Sequence, residues 1–64
     1  MKTFIVTAST KKVNRRKKFK INNPIDGQII DIPILSDEEL YVITYKEGIL
    51  KLQNPHVTYI CQEI

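Results

Sequence analysis

Apolar residues in this chain alternate with a period of two, and turn-forming residues interrupt the alternation every few positions. That pattern buries one face of short strands and leaves no apolar stripe at helical spacing. Tyr41-Val42-Ile43-Thr44-Tyr45 and Ile49-Leu50-Lys51-Leu52-Gln53 are both rich in residues that favour a pleated surface. Between them, Lys46-Glu47-Gly48 reads as a three-residue hairpin loop with Gly48 in the left-handed region.

Further strands follow from the same period. Lys2 to Ala8 places Phe4, Val6 and Ala8 on one face. Arg15 to Ile21 reads as a second strand, and Asn22-Asn23-Pro24-Ile25-Asp26-Gly27 is dense in turn chemistry. Gln28 to Leu35 is a third, where Pro33 lacks an N–H and asks for an edge or a bulge. Ser36 and Glu39 fit a capping box and predict one short helical turn. Asn54-Pro55 is another turn, and His56 to Gln62 is the last strand. The expectation is an all-β single domain over 1–64. It would be a small antiparallel barrel or bent sheet of five to six short strands, SH3-like or OB-like by analogy. The predicted core is Phe4, Val6, Ile30, Ile32, Val42, Leu50, Leu52, Val57 and Tyr59.

With 64 residues, a chain buries only about 60% of its unfolded surface and usually needs extra support. One cysteine excludes an intrachain disulfide, and His56 with Cys61 cannot fill a tetrahedral zinc site. A compact core, a partner, or both must suffice. The run 41–45 is apolar on both faces, which points to a homodimer or to a partner over one face. No segment approaches the about 18 apolar residues of a membrane span, and the apolar start is too broken by Thr for a signal peptide. A cytoplasmic location is expected.

The chemistry on offer is sparse. Cys61 and His56 are an odd number of positions apart, on opposite faces of a strand, which disfavours a nucleophile–base pair. Cys61 reads instead as a small buried hydrophobe. Gly27 and Gly48 are the only glycines, so there is no phosphate-cradling loop. No enzymatic activity, cofactor or metal is expected. Asp37-Glu38-Glu39 reads as acids at a helix N-terminus, or as a contact patch for a basic partner. Tyr41 and Tyr45 fit core packing better than base stacking.

Charge is the sharper signal. All eight cations among residues 1–20 stand without a single acid, whereas residues 21–64 hold all seven acids and two lysines. Lys11, Lys12, Arg15, Arg16, Lys17, Lys18 and Lys20 crowd into one ten-residue stretch. In a strand, Arg16, Lys18 and Lys20 would project from one face about 6.8 Å apart. Such a row suits a phosphate backbone. Arg15 and Lys17 fall on the core-facing parity and would have to snorkel or lie where the strand leaves the sheet. The bland alternative is a solvated run paired with the acidic remainder. The leading reading is a non-enzymatic nucleic-acid-binding or regulatory module, for DNA or RNA, that contacts phosphates through these seven residues. An acidic protein surface is another possible partner. The alternative is a small protein–protein adaptor or inhibitor, of the mobile-element kind, docking through an edge strand or charged patch.

Overall fold

The computed structural model describes residues 1–10 and 16–64, and for 36–38 the backbone alone. It contains six strands: β1 (Lys2–Ser9), β2 (Lys18–Ile21), β3 (Ile29–Ile32), β4 (Ser36–Lys46), β5 (Ile49–Gln53) and β6 (Thr58–Glu63). All pairings are antiparallel, in the order β2-β1-β6-β5-β4-β3. Except for β2 and β3, strands that follow one another in sequence lie side by side, and β1 lies against β6, as in an up-and-down barrel. Only the link between β2 and β3 is unpaired, so the barrel is nearly closed. The all-β small barrel expected from the sequence is the fold observed.

The interior is filled from every strand. Phe4, Val6, Phe19, Ile32, Tyr41, Ile43, Leu50, Leu52, Tyr59 and Cys61 are buried, with Leu35 and Val57 from the adjoining turns. Phe4 stacks on Phe19 at 5.9 Å and meets the edge of Tyr45 at 5.8 Å. Tyr41 and Tyr59 pack edge to face at 5.8 Å. Seven of the nine predicted core residues are buried; Ile30 is half-buried and packs against the core. Val42 is the exception, 46% exposed, while Tyr41 and Ile43 on the opposite parity point inward.

The hairpin between β4 and β5 explains that reversal. Lys46 pairs with Ile49, so the loop is Glu47-Gly48, two residues rather than three. Both have positive φ, 52° and 80°, the requirement of a type I′ turn. Gly48 takes the left-handed region as expected, and Glu47 takes it at about 1 kcal/mol. This register sets Tyr45 opposite Leu50 and Ile43 opposite Leu52. The inward parity of β5 thereby fixes that of β4.

Three other local expectations change. The predicted helical turn after Ser36 is absent, because β4 already begins there and Ser36 pairs with Ile32. A tight turn closed by Leu35 N–H to Ile32 O at 2.9 Å reverses the chain, with Pro33 in the second position that its fixed φ suits. A bulge at Thr7 shifts the β1–β6 register between Val6 and Ala8, which turns Ala8 outward. The Thr7 hydroxyl donates to Ile60 O at 3.1 Å across that bulge. The predicted strand from Arg15 begins only at Lys18. β3 is an edge strand, but it spans only Ile29–Ile32 of the predicted Gln28 to Leu35, and Pro33 lies in the turn beyond it rather than in the strand.

Candidate polyanion interface

Of the seven cationic residues singled out, Lys11, Lys12 and Arg15 lie outside the described residues. Arg16, Lys17, Lys18 and Lys20 are all exposed and lie on or next to β2. β2 owes its place to Phe19, whose ring is buried against Phe4. With Phe19 pinned inward, alternation turns Lys18 and Lys20 outward, opposite Ile5 and Thr3 of β1. No acid stands at those cross-strand positions.

A bulge precedes the strand. Arg16 N–H donates to Val6 O at 3.0 Å, and Val6 N–H donates to Lys17 O at 3.0 Å. Two residues thus oppose one, and Arg16 sits at φ 61°, a position that glycine usually fills in such bulges. Nothing in the run Arg15-Arg16-Lys17 announces this, since the residues that tolerate positive φ are glycine and asparagine. The bulge ends the alternation, so Lys17 need not snorkel into the core and is exposed.

Among the described residues, none of Arg16, Lys17, Lys18 and Lys20 forms an ion pair with the acidic remainder. The one ion pair among the described residues is Lys2–Glu63, at 3.5 Å, bridging β1 and β6. Glu63 also accepts the Tyr45 hydroxyl, and this hydrogen bond, aided by Lys2, holds its carboxyl below the usual range. Arg16, Lys17, Lys18 and Lys20 are left as free cations among the described residues.

The remaining candidates are structural. Tyr41 is enclosed, and burial first of all pushes its phenol up to about 12. Tyr45 is tied to Phe4 and Glu63, so neither tyrosine offers an open ring face for stacking. Asn54 Oδ1 accepts from His56 N–H at 2.8 Å and Val57 N–H at 2.9 Å, building the predicted turn. His56 is exposed in that turn, whereas Cys61 is enclosed, opposite Val6 and Leu50. The structure does not bring imidazole and thiol together. The described residues contain no cluster of His, Cys, Asp and Glu suited to a metal, and no helix long and apolar enough to cross a membrane. The side chains of Asp37 and Glu38 lie outside the described residues. No family model, curated protein or solved structure matches this chain.

The left-handed Arg16 carries a prediction. Arg16→Gly removes a left-handed cost of about 1 kcal/mol, partly offset by the greater freedom of unfolded glycine. Stability in urea melts should therefore hold or rise, while any affinity for a polyanion falls. A clear loss of stability would show that the Arg16 side chain holds the bulge together.

Proposed function

We propose that this domain is a binding module for a nucleic-acid phosphate backbone, working through Arg16, Lys17, Lys18 and Lys20. The supporting observation is that these four cations are exposed, adjacent and free of acidic partners among the described residues. Four unneutralised charges along one edge repel one another, and a polyanion relieves that repulsion. Strain at Arg16 points the same way, since residues held in sparsely populated backbone regions concentrate at functional sites. Contacts of this kind supply affinity and orientation but little sequence readout. With no open aromatic face beside them, the module binds any sequence about equally.

The test is the salt dependence of binding to duplex DNA. Four phosphate contacts give a slope of about −3.6 in log affinity against log salt. Affinity should then fall by about 10²-fold between 50 and 200 mM salt. Arg16→Ala with Lys18→Ala should halve the slope to about −1.8, at unchanged thermal stability, because both side chains are exposed. A double variant that keeps full affinity and slope would remove the basic edge from consideration. Running the same series on single-stranded RNA decides which polymer is preferred.

A further inference from the structure

Five strand junctions of this barrel are hydrogen-bonded, and the sixth, between β2 and β3, stands open. Both edges facing it carry peptide groups with no ladder partner. On one side, the Val6 bonds show that even-numbered β1 residues turn toward β2. Phe19 and Ile21 therefore bond to Phe4 and Lys2, and the peptide groups of Lys18 and Lys20 face the opening. On the other side, Ile43 bonds to Gly27 N–H and Gln28 O, at 2.8 and 3.0 Å. Ile30 then bonds to Tyr41, and the peptide groups of Ile29 and Asp31 face the opening.

The space between the edges is a cavity of about 370 Å³, lined by 18–21 and 30–34. Its inner wall is apolar, built from Phe19, Ile21, Ile30 and Ile32. Its outer rim is cationic along β2, at Lys18 and Lys20, and bears Asp31 along β3.

We propose that this opening receives an extended segment of a partner protein in which carboxylate and aliphatic side chains alternate, added as a strand along β2. Only a peptide supplies N–H and C=O groups at the strand repeat that the two edges offer. The inward register of such a strand meets the apolar wall. Its outward register falls beside Lys18 and Lys20, where opposite charge is the stabilising cross-strand pair. A second copy fits poorly, because β2 against β2 sets Lys18 and Lys20 against lysines. β2 and β3 run in opposite directions, so one added strand is antiparallel to only one of them. Asp31 and Pro33 blunt the β3 edge against a carboxylate-bearing strand, which leaves β2 as the antiparallel partner. This site shares Lys18 and Lys20 with the phosphate-binding reading and differs from it in depending on backbone pairing and the apolar wall.

The experiment is an NMR titration of the labelled protein with a nine-residue peptide alternating valine and glutamate. Saturable shifts are expected at the Lys18 and Lys20 amides and the Ile30 and Ile32 methyls. A scrambled peptide of the same composition should bind at least tenfold more weakly. Glutamates stand opposite Lys18 and Lys20, so N-methylating them should weaken binding more than N-methylating the valines. Lys18→Glu with Lys20→Glu, both exposed, should transfer preference to a valine–lysine peptide. Equal affinity for the scrambled peptide, or absence of shifts at millimolar peptide, would overturn the proposal. So would duplex DNA moving the Ile30 and Ile32 methyls as strongly, which would make the opening part of a phosphate site. DNA binding that leaves those methyls unmoved concerns only the basic edge.

Discussion

Ile43→Ala should cost this domain about 2–5 kcal/mol, while Val42→Ala, one position away, should stay within about 0.5 kcal/mol. Ile43 is fully buried, and Val42 is 46% exposed on the outer face. Deleting the Ile43 side chain leaves a hole between the rows of β3 and β5 that close-packed neighbours fill only in part. At about 4–8 °C per kcal/mol for a domain of this size, the melting temperature should fall by at least about 8 °C. A small domain has little stability to spare, so the larger end of the range abolishes the folded state. Thermal and urea melts of the two variants decide the matter. If Val42→Ala proves the costlier, β4 is registered one residue away and the barrel interior is differently composed.

That pair of variants probes the point at which the sequence misled. Within 41–45 both parities are apolar, so periodicity alone has no preference. Turn length breaks the tie. A three-residue loop places Leu50 opposite Thr44 and Leu52 opposite Val42, which buries Val42. The two-residue loop moves every pairing by one and turns Tyr45, Ile43 and Tyr41 inward instead, burying the last two. A one-residue slip inverts a whole strand, and Glu47 concealed it, because glutamate is an unusual occupant of a left-handed turn position. The strand β5, flanked by Gly48 and the Asn54 turn, carried its own punctuation and was legible to the residue.

The basic edge was legible in composition but not in shape. Seven cations in ten residues announce themselves, and alternation correctly put Lys18 and Lys20 on the outer face. The bulge at Arg16 had no marker, and the expected run of outward cations consequently breaks there. The opening beside β2 was invisible for a different reason. It arises from a link that is not made, and a strand's own sequence does not reveal which of its neighbours fails to pair.

Cys61 should react with a thiol reagent at least about 10³-fold more slowly in the folded protein than in urea. The thiol is fully enclosed, and burial raises it to about 12, so neither the nucleophilic thiolate nor access exists in the native state. Labelling must wait for the barrel to open, and its rate reports that opening. Ile43→Ala should accordingly speed labelling by about 30-fold or more, the same free energy read kinetically. Prompt labelling of the unaltered native protein would place Cys61 at a reachable surface and reopen the question of its chemistry.

The β1–β6 junction ties together residues nearly the whole chain apart; Lys2 and Glu63 are 61 positions distant yet in contact. A chain emerging from a ribosome presents β1 first and β6 last. The β3–β6 meander can close on neighbours as it appears, but β1 holds an apolar strand with one side unpaired until β6 arrives. Loop-closure entropy is spent before that contact repays it, which places such a barrel among domains that fold in milliseconds to seconds rather than microseconds. Throughout that interval a strand destined to be paired on both sides is an exposed edge, the element of this molecule most open to misassembly.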